Sequence, residues 1–472
     1  MLRCAALVLL SMALVGGCAA TSSSTPVTPE GPRAPGLPYR ATGIPDRILL
    51  TPGADPARQM AVAFRTDARQ RTATGELARA LAGPTLAPTA RAVTGVSSQI
   101  VTENGDALYH QVRFEGLDPD TAYVYRVRGA DGWSEWIPFR TASAEAKPFR
   151  FIYFGDTQNS ILDRGSRTIR QAFARSGGAA LAVHAGDLVA SRDDMSHDDE
   201  WGEWTASGGF HFAMTPQIPA PGNHEYVDVV NADGTEGRKL APHWPLQFAL
   251  PGNGAERASA TTYFVDYQGV RFVVLDGTAA IDLGAIESQS AWLDKTLADA
   301  GDRWTVVLMH QPIFTCARPQ DTEPLKARWR PIFETRGVDL VLQGHDHCYG
   351  RWADPPQPGA PSLTADRRTL RGPVYVVSVT GAKMYGLNDR VRTQADRWAE
   401  DTQLFQVIDV AADRLTYAAY TADGAPYDAF DLLRGSEGNT LVQQRSALSA
   451  PRTCTPTRIG PDGQPCTAEP KD

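Results

Sequence analysis

Asp156, Asp187, Asn223, His310, His345 and His347 are the side chains of this sequence with the most chemistry to offer. They arrive in short fixed settings: Gly155-Asp156, Gly186-Asp187, Gly222-Asn223-His224-Glu225, a lone His310, and Gly344-His345-Asp346-His347. Carboxylate, carboxamide and imidazole donors in that mixture suit Mn, Fe or Zn, whereas an all-oxygen set would suit Mg or Ca. Two adjacent metal ions need one shared carboxylate and neutral nitrogen or oxygen donors on either side, and this inventory supplies both. Four of the settings lie at or just beyond the end of an apolar, β-rich run, at 149–154, 180–184, 306–309 and 338–342. Ligand sites of open α/β sheets form outside the carboxyl ends of strands. Separate strands are therefore expected to deliver Asp, Asp, Asn, His and His-x-His to one rim. The adjacent glycines permit sharp turns off those strands.

The frame that must hold these residues is large. A chain of 472 residues with 42% hydrophobic residues is long enough for two or three domains with real cores. A formal net charge of −8 leaves no basic footprint for nucleic acid or an acidic membrane. Arg3 precedes an apolar run at 5–15 that is too short to span a bilayer and reads as an export signal. Val15-Gly16-Gly17-Cys18 resembles the bacterial lipoprotein processing box. On that reading 1–17 is the signal peptide, Cys18 is lipidated, and 18–43, rich in Ser, Thr, Pro and Gly, is a flexible tether. Ordinary signal-peptidase cleavage near Ala19-Ala20 is the alternative. Ala19 in place of an aspartate favours the outer membrane, facing the periplasm or the cell surface. Four cysteines then remain: Cys316, Cys348, Cys454 and Cys466. If His310 and His347 converge, Cys316 and Cys348 become neighbours, and a bridge beside the site is expected. A second bridge, Cys454–Cys466, would close a small loop, and both suit an oxidising compartment.

Residues 44–142 read as all-β. The segment 60–64 is apolar, 110–114 and 123–128 alternate, and Gly, Pro and Asp separate them. Leu117-x-Pro119-x-Thr121-x-Tyr123 resembles the corner of fibronectin type III domains, where a Tyr hydroxyl ties a strand to the backbone before it. From 147 to 435, strands alternate with helical stretches at 166–175, 288–300 and 325–335, which argues for an α/β sandwich. No fold is assigned to 436–472, which reads as an irregular tail.

The order G-D, G-D, G-N-H-E, H, G-H-x-H resembles the signature of the calcineurin-like metallophosphoesterases. The flanking sequence, including Glu200-Trp201-Gly202-Glu203-Trp204, 263–266 and 374–379, is similar to their purple acid phosphatase branch and its bacterial relatives. The resemblance implies an α/β (α+β) fold: a mixed two-sheet sandwich flanked by helices and preceded by a fibronectin III-like sandwich. It implies two metal ions, divalent or mixed-valence. Asp187 would bridge them, Asp156 and His347 would serve the first, and Asn223, His310 and His345 the second. It also implies hydrolysis of phosphomonoesters by a metal-activated water or hydroxide, with His224 contacting the phosphoryl group or protonating the leaving oxygen.

Two positions depart from that pattern. The first motif continues Asp156-Thr157-Gln158 where many members have Asp-x-His. Ala190 stands at the third position past Asp187, where purple acid phosphatases carry a tyrosinate ligand. The protein is therefore expected not to be purple. Gln158 either donates its carbonyl oxygen to the metal or orients a bound water. Arg351 is placed to orient phosphate or a nearby carboxylate. Asp346 is expected to face solvent, Asp276 to cap a loop, and His184, Trp201 and Trp204 to pack. His197, His211 and His243 are candidate leaving-group acids with nothing to separate them. A phosphodiesterase or nucleotidase on the same metals, or a catalytically weak binding lipoprotein, are the alternative functions.

Overall fold

The computed structural model describes residues 39–353, 367–436, 438–444, 448–468 and 470. The signal, Cys18 and most of the tether lie outside that set. The first domain is a sandwich of two antiparallel four-stranded sheets. One runs Asp46–Pro52, Met60–Thr66, Gly105–Phe114, Val96–Thr102; the other runs Arg91–Thr94, Thr74–Arg79, Ala122–Val127, Ile137–Arg140. Val62, Phe64, Val112, Phe114, Tyr125 and Val127 fill the space between them. The Asp118 amide donates to the Tyr123 hydroxyl at 3.0 Å, which is the tie expected of the corner motif. His110 is buried in this domain with both ring nitrogens engaged, by Thr66 Oγ1 and Ser97 Oγ at 2.8 Å each.

The second domain stacks two mixed sheets. The first has the order Gln217–Pro219, Leu181–His184, Phe149–Phe154, Leu404–Val410, Arg414–Thr421, Pro426–Leu433, Thr440–Gln443, Arg367–Thr369. The second runs Tyr263–Tyr267, Val270–Val274, Trp304–Leu308, Leu340–Gln343, Val374–Val377, Tyr349–Ala353, Arg397–Ala399. The motif-bearing strands are parallel to their neighbours, Phe149–Phe154 with Leu181–His184 and Trp304–Leu308 with Leu340–Gln343. Strands covered on both faces need apolar residues without alternation, and Val270–Val274 is buried throughout. Phe272 and Val306 face the layer between the sheets, whereas Val273 and Val307 face the outer cover. That cover consists of the helices Ile286–Ala298 and Glu323–Arg336 on one side and Ser166–Ser176 and Asp199–Gly208 on the other.

Residues 436–472, read from sequence as an irregular tail, need a correction. Thr440–Gln443 is a strand between Pro426–Leu433 and Arg367–Thr369. Only Leu441 of its four residues is buried, so the segment is too short and too polar to show a periodic pattern. Both disulfides are present, Cys316–Cys348 and Cys454–Cys466.

The two domains are locked by charge as well as by packing. Asp198, fully buried in the second domain, accepts from Arg47 at 2.6 and 2.8 Å and from Arg65 at 2.9 Å, both in the first domain. His243 Nε2 closes the same carboxylate at 3.1 Å. The Tyr125 hydroxyl donates across the junction to the Ala213 carbonyl at 2.6 Å.

Candidate metal centre

The strand ends converge as their order implies. Asp156 follows Phe149–Phe154, Asp187 follows Leu181–His184, His310 follows Trp304–Leu308, and His345 and His347 follow Leu340–Gln343. Asn223 opens a short 3₁₀ turn, Asn223–Glu225, beyond Gln217–Pro219. The donor atoms form two sets, Asp187–His310–His345 and Asp156–Asp187–His347, each with all atoms within 4.8 Å of one another. Asp187 belongs to both. Asn223 Oδ1 lies 3.0 Å from His310 Nε2 and so joins the first of these sets.

Backbone carbonyls decide which ring nitrogen His310 and His347 present, whereas His345 turns Nδ1 toward His310 Nε2 at 3.1 Å. His310 Nδ1 donates to the Ala185 carbonyl at 2.8 Å and His347 Nδ1 to the Lys383 carbonyl at 3.0 Å, so both turn Nε2 inward. Fixing one nitrogen in this way leaves the other as an electron-pair donor of set direction. His224 Nδ1 is held by the Ala190 carbonyl, and its Nε2 lies 4.0 Å from Asp187 Oδ2. Ala190 thus orients His224 through its backbone, while its methyl brings no ligand.

The glycines make room for carboxylates. A Cβ on Gly222 would meet Asp187 Oδ1 at 2.2 Å, and one on Gly344 would meet Asp156 Oδ2 at 2.4 Å. Asp187, His345 and His347 have φ of +50°, +75° and +47°. Three non-glycine residues in the left-handed region store strain where the donors cluster. That strain is held in place by polar contacts. Asp156 accepts from the His345 amide with both oxygens, at 3.0 and 2.8 Å. Glu225 accepts from the amides of Asp187, Leu188 and Gly222 at 2.9, 2.8 and 2.6 Å. Glu225 stands in the G-N-H-E motif, but sequence reasoning gave it no task; a carboxylate directly after two site residues was the available signal.

Electrostatics mark the pocket as built for cations. Burial opposes charge on His310, yet Asp187 at 3.1 Å outweighs it and raises the imidazole to about 9. Burial likewise opposes charge on Asp187, but His310 and His224 hold that carboxylate well below its usual range. Asp156 is pushed up to about 7 by burial, with His310 opposing and Asp187 adding to the rise. His345 and His347 are driven down, chiefly by burial, and so stay neutral, the form in which imidazole ligates a metal. A proton on His310 is the charge such a pocket recruits without an ion, and metal binding displaces it. The Gln158 amide nitrogen donates to Asp187 Oδ2 at 2.6 Å, while its Oε1 is buried with no protein hydrogen-bond partner. An unclaimed carbonyl oxygen beside a shared carboxylate fits a cation, so the residues present fit two metal ions.

Other expectations sort themselves by position. Arg351 needs correction: it is fully buried between the sheets, donating to Asp428 at 2.6 and 3.2 Å and to Asp396 at 3.4 Å. Its charge is consumed there, so it is no phosphate contact. Asp346 does not face solvent. It is buried and accepts from the amides of Cys316 and Ala317 at 2.6 and 2.8 Å and from Arg318 at 2.6 Å, bracing the disulfide against the His-x-His turn. His184 packs among Phe154, Trp204 and Phe212, and Asp276 caps the Gly277–Asp282 helix. His197 pairs with Glu103 and Glu200, His211 stacks on Phe173, and His243 serves Asp198; none of the three is grouped with the metal-site donors.

Residues 45–141 match the purple acid phosphatase N-terminal domain family, and 149–349 match the calcineurin-like phosphoesterase family. An uncharacterised protein of Mycobacterium tuberculosis is 28% identical over 383 residues, covering 72% of this chain and 69% of that one. Purple acid phosphatase 23 of Arabidopsis thaliana is 26% identical over 54% of this chain and 61% of its own length. Among solved structures, a purple acid phosphatase from yellow lupin seeds superposes with a TM-score of 0.67 at 18% identity. That superposition covers 83% of this chain and 75% of the lupin chain, and it bears on the fold.

Proposed function

The chain belongs to the calcineurin-like metallophosphoesterases and carries a purple acid phosphatase N-terminal domain, which makes it a metal-dependent phosphoesterase; from this premise we propose an exported phosphatase that releases phosphate from organic monoesters. One observation carries the reading: two donor sets share Asp187. In this proposal Asp156, His347 and Gln158 hold the first metal, Asn223, His310 and His345 the second, and Asp187 both. Two such ions supply a nucleophilic water near neutral pH and a clamp for phosphoryl oxygens.

The chain's own residues do the rest. His224 Nδ1 is committed to the Ala190 carbonyl, so only Nε2 is free to meet substrate. Burial lowers the His224 pKa, with Asp187 opposing and Lys383 adding to the fall. A dianionic ester beside the ring raises it again. Substrate binding thus brings a proton to Nε2, where it holds a phosphoryl oxygen and then passes to the leaving oxygen. With Ala190 in the tyrosinate position, iron loading gives no intense visible band. Mn, Fe and Zn all suit the donor set.

Export rests on the 1–17 signal and on two disulfides, which persist in oxidising compartments. The anchor reading rests on Cys18, and labelled palmitate incorporated by the wild type and lost in Cys18→Ser tests it. The activity is tested by assaying para-nitrophenyl phosphate and its bis-ester on metal-loaded protein beside Asp187→Asn. Monoester turnover lost in the variant supports the phosphatase. Preference for the bis-ester moves the assignment to a phosphodiesterase, and turnover of neither ester points to a binding protein.

A further inference from the structure

The loop 381–385 runs under the metal centre, and its middle residue has a task that none of the motifs names. The Lys383 carbonyl accepts from His347 Nδ1 at 3.0 Å, and the Tyr385 amide donates to the His347 carbonyl at 3.1 Å. The Tyr385 ring stands edge-on to the His347 ring, 5.0 Å between centroids, and the Lys383 ammonium lies 5.3 Å from the centre of that Tyr385 ring. Ala382 and Met384 line an open cleft of about 720 Å³ on one side of the loop. Lys383, between them, does not line that cleft; its ammonium lies against the Tyr385 ring that packs edge-on to His347. Its positive charge is felt at the His347 and His224 imidazoles, adding at each to the depression that burial causes. Among the described residues, its ammonium has no ion-pair or hydrogen-bond partner beyond the Tyr385 face.

Lys383 is half-buried, and an ammonium without a carboxylate partner is open to donate a charge-assisted hydrogen bond to a visiting anion. We propose that Lys383 is a phosphoryl-binding residue that, beside His347, takes up the second negative charge of a phosphomonoester dianion. The inference rests on the phosphatase reading and deepens it. A diester carries one negative charge at the phosphorus and a monoester at neutral pH carries two, so a fixed cation favours the monoester. Lys is suited to this as a compact point charge on a flexible stem. His347 is held by the Lys383 backbone and not by its side chain, so a side-chain substitution leaves the ligand in place.

The test compares wild type, Lys383→Met and Lys383→Arg, each loaded with Mn or Zn. Three quantities are read: metal ions per chain, affinity for inorganic phosphate by calorimetry, and kcat/KM for para-nitrophenyl phosphate and its bis-ester. In Lys383→Met, two ions per chain are expected, with phosphate affinity down roughly tenfold or more and monoester kcat/KM down roughly 10- to 100-fold. The bis-ester should lose several-fold less, and Lys383→Arg should recover part of both effects. Phosphate affinity within twofold of wild type overturns the inference. So does a loss that tracks missing metal and is not relieved by Arg, which makes the residue structural. If the wild type turns over neither ester, the phosphatase reading fails, and the phosphate titration alone decides whether Lys383 binds the anion.

Discussion

Three backbone amides converge on Glu225, and two of them belong to Asp187 and Leu188, so the left-handed turn at Asp187 is held by a carboxylate two residues past Asn223. Burial, with the charge of Asp187 adding to it, raises Glu225 to about 8. Bound cations work in the opposite sense. Glu225→Gln keeps the shape but turns an NH₂ toward amide donors. Leaving buried amides unpaired costs about 1–3 kcal/mol each, so the variant should melt several degrees lower and hold less than two metal ions per chain, as read by calorimetry and elemental analysis. Unchanged metal content would show that Glu225 is only packing. Gly344→Ala is the sharper variant, because its Cβ would fall 2.4 Å from Asp156 Oδ2; it should abolish metal binding at the first site with all ligands intact. Retention of both ions would show that Asp156 has room to move. Residue types and order revealed these donors, whereas the roles of Asp346 and Arg351 were hidden. Nothing local distinguishes an aspartate that faces water from one that braces a disulfide, or an arginine aimed at phosphate from one spent on Asp428 across the sheets.

Strands were legible where burial on both faces gives apolar runs, as at Trp304–Leu308 and Leu340–Gln343. They were illegible where a short polar edge is recruited by a neighbour, as at Thr440–Gln443. Two strands carry histidines with consequences for acid stability. His110 and His184 are buried, and burial lowers each to about 4, against an ordinary value of 6.5. Between those values the unfolded chain binds protons that the folded chain refuses, so stability falls as pH drops from 6.5 toward 4. Each site contributes on the order of 3 kcal/mol to that fall. Denaturant midpoints at pH 7 and 4.5 should show the loss, and His110→Gln should reduce it to the share that His184 contributes. Identical pH slopes in wild type and variant would remove His110 from this account.

At the scale of the molecule, the first domain is fixed to the catalytic one and not merely strung before it. Arg47, Arg65 and His243 close on Asp198, with Arg47, Arg65 and Asp198 all nearly inaccessible to water. Removing the carboxylate strands the buried Arg47 guanidinium, at a cost of about 3–5 kcal/mol, while Arg65 keeps its pair with Asp46. Asp198→Ala should therefore split one melting transition into two, while Arg79→Ala, which breaks an exposed pair with Asp118, should not. A single unshifted transition in Asp198→Ala would mean that apolar packing alone joins the domains. The sequence separated the two domains by their patterns, but the lock was out of reach because Arg47 and Arg65 lie 151 and 133 residues from Asp198.

In the proposed centre, Asp187 is shared by two cations. Anomalous diffraction from crystals loaded with Mn tests it most directly. Two peaks are expected on either side of the Asp187 carboxylate, one against Asp156, His347 and Gln158 and the other against Asn223, His310 and His345. A single peak, or two that do not both contact Asp187, would contradict it.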